Sequence, residues 1–116
     1  MVAELFEVTV EPDETVTKVI ARGEIDLIST PELETALRTA LDDARPPMTV
    51  LVDLAGVSFL SSSGMSALIQ AHQSGQEQGV AVSIVVEERA VQRALTAAGL
   101  DQLLDIVSRD AHNPAQ

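Results

Sequence analysis

The spacing of hydrophobic positions changes along the chain and predicts strands and helices in turn. Phe6, Val8 and Val10 alternate with polar residues, which is typical of a strand with one face in water. After a turn at Pro12, the β-branched stretch 15–23 predicts a second strand that ends at its glycine. We expect these two strands to pair antiparallel at the edge of a sheet.

From Ser29 onward the period becomes helical. Ser29 with Glu32 fits a capping box, and Thr30 followed by Pro31 fits an N-cap with proline at the first helical position. A pair of prolines ends the segment. One apolar stripe is expected along this helix, formed by Leu33, Ala36, Leu37, Ala40, Leu41 and Ala44.

Two nearly unbroken apolar runs, 48–54 and 80–86, are typical of central strands that are covered on both faces. The segment between them predicts a helix that closes at Gly75 or Gly79. Strand, helix and strand in this order form a crossover unit with parallel strands. The residues that share the apolar face of this helix are Met65, Leu68, Ile69 and His72.

A third helix is predicted before Gly99 and Leu100, which fit a glycine C-cap with its hydrophobic contact. A short last strand follows at 103–107. The sequence therefore predicts a single α/β domain over residues 1–107, with a mixed sheet of four or five strands and about three main helices. Residues 108–116 are expected to form a loose C-terminal tail.

Composition narrows the function. A chain of 116 residues with 46% hydrophobic residues can bury one core, and its formal charge of −11 repels nucleic acids and anionic membranes. There is no cysteine, and His72 and His112 are far apart, so we expect no metal site and no cofactor. No apolar stretch has the length of a membrane span and no signal peptide is recognisable, so the expected location is the cytoplasm.

Three serines, Ser61 to Ser63, stand between the central strand and the helix that begins near Gly64. In open α/β sheets, sites gather at this carboxyl-end edge. One interpretation is that Ser62 or Ser63 only caps the helix. The other is phosphorylation, since the amides and dipole of a helix N-terminus tolerate a phosphoserine, whereas a partner packed there would have to bury a dianion.

Catalysis is not expected at these serines. A nucleophile elbow requires G-x-S-x-G, and Leu60 stands two residues before Ser62. His72 is about 15 Å further along the helix, too far to act as its base. No lysine follows Gly64 to form a phosphate-binding loop. We therefore predict a protein that is not an enzyme.

The stretch VLVDLAGVSFLSSSGMSAL resembles the signature of the STAS domain of bacterial anti-sigma-factor antagonists. ARGEIDLISTPEL is similar to the family's G-E-[LI]-D segment, and AVQRALTAAGLDQLLDI to its last helix and strand. The resemblance implies an antagonist that binds an anti-sigma factor, itself a serine kinase of the ATPase fold, and so frees a sigma factor for transcription, including stress responses. Phosphorylation would release the antagonist and a phosphatase would reset it.

The resemblance places the phosphorylated serine at Ser62, with Ser61 and Ser63 as second choices. It implies no role in binding nucleic acid or membrane. The family's acidic residue before the acceptor is replaced here by Ser61, which leaves open an alternative: an unphosphorylated STAS adaptor, or a module that senses a small ligand or nucleotide. The partner-binding residues that the resemblance implies are Glu24, Asp26, Ser61, Ser62, Ser63, Gly64 and Met65.

Overall fold

A five-stranded sheet with three helices makes up residues 5–107, the part of the chain that the computed structural model describes. The helices are α1 (Thr30–Asp43), α2 (Ser62–Gln78) and α3 (Arg89–Ala97). The strands are β1 (Glu7–Glu11), β2 (Val16–Ile25), β3 (Thr49–Leu60), β4 (Ala81–Val85) and β5 (Asp105–Val107).

The strands follow one another across the sheet in chain order, β1-β2-β3-β4-β5. β1 pairs antiparallel with β2, and each later pair is parallel. Each parallel pair is joined through a helix, because parallel neighbours need a crossover connection. The predicted α/β fold with a mixed sheet is confirmed. The predicted tail, 108–116, lies outside the described residues, and the domain boundary at 107 stays a prediction.

The core lies between the helices and the central strands. The leucine and alanine stripe of α1 is buried as predicted. β4 is buried from Val82 to Val85, but β3 is not covered on both faces as expected. Buried residues in β3 alternate with half-buried Leu51 and Asp53. Within residues 5–107, no helix is both long and apolar enough to cross a bilayer.

β3 is longer than predicted, because the segment that was expected to be a loop after residue 54 continues as strand to Leu60. Its register against β2 slips twice, and each time β3 carries one extra residue. At the first slip, the Asp53 carboxylate accepts a hydrogen bond from the Ala55 amide at 2.9 Å. Such bulges bend a strand and increase its twist. β2 likewise passes Gly23, where a strand end was expected, and reaches Ile25.

Glycines end two of the helices in the left-handed conformation. Gly79 follows α2 with φ 75°, while Gly75 lies within α2, which decides between the two predicted ends. Gly99 follows α3 with φ 77°, and the Leu100 amide donates to the Leu95 carbonyl at 2.9 Å. The predicted glycine C-cap of α3 is confirmed.

Gly64, in the first turn of α2, allows this helix to approach the sheet closely. A Cβ atom at this position would lie 2.6 Å from Ile25 Cγ2 and 2.7 Å from Leu60 Cδ1. Both neighbours are buried side chains at the ends of β2 and β3. The glycine therefore fixes the height of the α2 N-terminus above these two strand ends.

Gly64→Ala is expected to lower the free energy of unfolding by about 1–3 kcal/mol, because the added methyl group overpacks this contact. Urea denaturation followed by circular dichroism measures the loss. The matched control is Ser66→Ala on the exposed face of the same helix, for which we expect a change below about 0.5 kcal/mol. Equal stability of the two variants would contradict the close approach.

Candidate functional site

The site lies where β2 and β3 end side by side. Ile25 pairs with Leu60, and the Ser61 amide donates to the Ile25 carbonyl at 2.8 Å. The chain leaves β2 into the loop 26–29 and leaves β3 directly into α2. The loop and the first turn of α2 are thereby held next to each other at the carboxyl edge of the sheet.

Ser61 is the N-cap of α2. Its backbone is extended, and its hydroxyl accepts a hydrogen bond from the Gly64 amide at 3.2 Å. The expectation that Ser62 or Ser63 caps the helix is therefore wrong by one or two residues, because both already lie within the helix. The error follows from three adjacent serines, any of which could supply the cap by residue type.

Three hydroxyl groups form a chain of hydrogen bonds between α2 and the loop before α1. Ser61 Oγ lies 2.8 Å from Ser63 Oγ, and Ser63 Oγ lies 2.9 Å from Thr30 Oγ1. Thr30 Oγ1 donates to the Asp26 carbonyl at 2.6 Å. A hydroxyl has one proton, so Ser63 must donate to Thr30 and Ser61 must donate to Ser63. The chain runs in one direction, which allows each bond to strengthen the next.

Ser62 stands outside this chain. Its side chain is exposed, and it makes no hydrogen bond to another residue of the described part of the molecule. It is the first residue of α2, where backbone amides have no partner within the helix and the dipole favours negative charge. Of the three serine hydroxyls, Ser62 is thus the one that is open to a modifying enzyme without breaking an internal bond.

Asp26 organises the loop from within. Its Oδ1 atom accepts hydrogen bonds from the Ser29 amide at 2.9 Å, the Ile28 amide at 3.0 Å and the Ser29 hydroxyl at 3.1 Å. These bonds, first those from Ser29 and then that from Ile28, hold the pKa of the Asp26 carboxyl below its usual range. The carboxylate is therefore bound within its own loop.

The start of α1 differs from the prediction. Ser29 is the N-cap and Thr30 the first helical residue, and the capping box with Glu32 does not form. The Ser29 hydroxyl instead donates to the Glu24 carbonyl at 2.8 Å and accepts from the Asp26 amide at 2.9 Å. The loop uses Ser29 to close on itself, which takes its hydroxyl away from the helix amides.

The loop presents two large aliphatic side chains to solvent. Leu27 is 77% exposed and Ile28 is 87% exposed. Sequence reasoning passed over both residues, as it did the bonding role of Thr30. The signal for the first two was present: two aliphatic residues stand in a predicted loop between an acidic strand end and a helix cap. For Thr30, only the fold brings its hydroxyl to Ser63.

The other predicted site residues are distributed around this edge. Glu24 is exposed on β2, in agreement with a strand-end charge, while Gly64 is buried. Met65 is half-buried and packs on the core. His72 is half-buried further along α2. Their parts in partner binding stay predictions. Within residues 5–107, no group of three or more acidic or histidine side chains is placed to hold a metal ion.

Comparison with known proteins identifies the family. The profile of the STAS domain matches residues 7–112, so the chain belongs to the STAS domain family. A curated relative, the anti-sigma-F factor antagonist RsfA of Mycobacterium tuberculosis, is 25% identical over 105 residues, which cover 90% of this chain and 82% of RsfA.

Two solved structures are similar to the whole fold. An anti-sigma factor antagonist from Mycobacterium paratuberculosis aligns with a TM-score of 0.78 and 29% identity, over 88% of this chain and 85% of that one. The anti-sigma factor antagonist SpoIIAA of Bacillus, in its unphosphorylated form, aligns with a TM-score of 0.72 and 14% identity, over 90% and 91% of the two chains. The second likeness concerns the fold alone.

Ser61→Ala is expected to lower the free energy of unfolding by about 1 kcal/mol, because the Gly64 amide loses its acceptor. Ser61→Asp keeps an acceptor and adds a negative charge at a helix N-terminus, so its stability should equal or slightly exceed that of the wild type. Thermal and urea denaturation measure both. The control is Ser62→Ala, which removes a hydroxyl outside the chain; an equal loss in this variant would argue against Ser61 as the cap.

The loop should loosen in acid. Because the pKa of Asp26 is lowered by folding, the ionised carboxylate stabilises the folded state above the unfolded pKa, and this contribution is lost as the pH falls through the folded pKa. Amide chemical shifts of Ile28 and Ser29 followed by NMR should titrate with a midpoint below about 3.9, the pKa of an unperturbed aspartate. Asp26→Asn should abolish the titration, and a midpoint above 3.9 would contradict it.

Proposed function

We propose that the chain is an anti-sigma-factor antagonist that is switched by phosphorylation of Ser62. In its unphosphorylated form it binds an anti-sigma factor that is a serine kinase of the ATPase fold, and this frees a sigma factor. The kinase phosphorylates Ser62 and so releases the antagonist, and a phosphatase restores it. The observation that carries this proposal is that Ser62 is exposed while Ser61 and Ser63 are held in internal hydrogen bonds.

The antagonist part of the proposal is supported by the named relatives. RsfA and the M. paratuberculosis structure are anti-sigma factor antagonists, and both alignments extend over most of this chain. Proteins of this kind regulate by binding. The chain is accordingly a substrate of the kinase, and no catalytic role is assigned to it.

The choice of Ser62 rests on accessibility and charge. Phosphorylation of Ser61 would remove the hydroxyl proton that is donated to Ser63, and a phosphate on Ser63 would have to fit between Ser61 and Thr30. A phosphate on Ser62 requires neither change and lies at the positive end of the α2 dipole. The fold can therefore carry the dianion without rearrangement.

The effect on the partner follows from desolvation. A kinase surface packed over Ser62 would have to bury the added charge, which costs on the order of several kcal/mol when no cation compensates it. About 3 kcal/mol corresponds to a roughly hundredfold loss of affinity. The loop around Asp26 and Glu24 borders this surface and is the second part of the proposed interface.

Ser61 in place of an acidic residue is compatible with this function. Its hydroxyl supplies the acceptor that the Gly64 amide requires, so the geometry of the acceptor helix does not depend on a carboxylate at this position. What is absent is a negative charge beside Ser62. We infer that recognition by the kinase depends on shape and apolar contact more than on charge at position 61.

Affinity capture from the native cell lysate with Ser62→Ala and Ser62→Asp baits tests the proposal. Mass spectrometry should identify an anti-sigma factor with a kinase domain on the alanine bait and not on the aspartate bait. Both variants should melt within a few degrees of the wild type, because Ser62 is exposed.

Ser61→Asp provides the matched control for this capture, since it places the same charge one residue away in a capping position. It should retain the partner. Capture of the same partners by all baits would overturn the switch and favour an unphosphorylated adaptor. Purified kinase and ATP should label the wild type but not Ser62→Ala, and labelling of that variant would move the acceptor to another residue.

A further inference from the structure

The exposed pair Leu27 and Ile28 is a candidate for a binding function that the phosphorylation switch does not explain. Exposed single aliphatic residues are common in folded proteins, so exposure alone decides little. Here two large aliphatic residues are adjacent, 77% and 87% exposed, in one short loop. The remaining large hydrophobic residues that are exposed in the described part of the chain occur singly: Leu5, Phe59 and Leu103.

The loop that carries the pair is held rigidly. The Asp26 carboxylate takes three hydrogen bonds from inside the loop, one of them from the amide of Ile28. Thr30 closes its far end on the Asp26 carbonyl through both its hydroxyl and its amide. A loop that is ordered before binding avoids much of the entropy that association costs. Leu27 and Ile28 are therefore exposed by construction.

The same bonds place the pair beside Ser62. Thr30, two residues after Ile28, is hydrogen-bonded to Ser63, and Ser61 is hydrogen-bonded to Ile25, two residues before Leu27. Ser62 lies between these two connections. Leu27, Ile28 and Ser62 thus belong to one continuous surface at the carboxyl edge of the sheet.

The centre of this surface carries no charge. No residue from 54 to 76 is charged, so the Ser62 side is neutral. On the loop side, the Asp26 carboxylate is turned to the loop's own amides. A neutral, aliphatic and rigid surface is complementary to an apolar pocket, because charged groups brought against it would be desolvated without a partner.

We propose that Leu27 and Ile28 form the apolar anchor of the interface and insert into an uncharged apolar pocket of the anti-sigma factor. This inference rests on the proposed function and names the part of the surface that supplies affinity. Asp26 is then a positioning residue that holds the anchor. Phosphorylation acts next to an apolar contact, where a dianion is least tolerated.

The test compares Leu27→Ser/Ile28→Ser with Leu103→Ser. Leu103 is also an exposed leucine, but it precedes β5 and so lies at the opposite end of the parallel strands from the loop after β2. The ligand is the anti-sigma factor identified in the capture experiment, purified and measured by calorimetry. We expect the double variant to bind at least tenfold more weakly and Leu103→Ser within about twofold of the wild type, with unchanged circular dichroism and thermal midpoints.

Asp26 separates positioning from direct contact. Asp26→Asn keeps an oxygen that accepts the amides of Ile28 and Ser29, so it should retain most of the affinity, while Asp26→Ala should lose at least fivefold. An equal loss in both would mean that the charge contacts the partner and would overturn the positioning role. The amide shifts of Ile28 report whether the loop is kept in each variant.

The outcomes distinguish this inference from the proposed function. If Ser62→Asp loses the partner and the double variant binds within twofold of the wild type, the switch stands and the anchor is wrong. If no bait retains an anti-sigma factor, both are wrong. Sedimentation that shows a wild-type dimer lost only in the double variant, with partner affinity kept, would assign the surface to a second copy of this chain and overturn the anchor.

Discussion

The pairing of Ile25 with Leu60 is the constraint on which the site depends. β3 spans 12 residues beside the 10 of β2, and its two bulges absorb the difference. Without them, β3 would extend about 7 Å beyond β2, at roughly 3.3 Å per residue, and the Ser61 amide could not reach the Ile25 carbonyl. The bulged strand therefore brings the acceptor helix to the Asp26 loop, and Asp53 holds the first bulge.

The hydroxyl chain turns this proximity into a defined arrangement. A proton donated by each of Ser61, Ser63 and Thr30 leaves every hydroxyl in the chain with a donor and an acceptor, and the last bond ends on a backbone carbonyl of the loop. An aspartate in place of Ser61 could accept from the Gly64 amide but could not donate to Ser63. The serine at this position thus completes a network that an acidic residue would interrupt, at the expense of a negative charge beside Ser62.

The sequence predicted the order of strands and helices because periodicity and turn residues act locally. The antiparallel first pair, the stripe of α1 and the glycine after α3 followed from patterns within a few residues. Features that depend on distant residues were missed: the register slips that extend β3, and the contact of Thr30 with Ser63, 33 positions apart. The cap of α2 was misplaced because residue type cannot decide among three serines, whereas the length of β3 does.

The site separates the groups that give it shape from those that remain free to bind. Asp26, Ser29, Thr30, Ser61 and Ser63 spend their hydrogen-bonding capacity on one another and on the backbone. What the edge offers outward is the hydroxyl of Ser62 and the side chains of Leu27 and Ile28. A surface whose polar groups are already satisfied binds through apolar contact, and one phosphate changes its character completely because the scaffold underneath need not move. This arrangement explains how a switch can act on binding alone and leave the fold as it is.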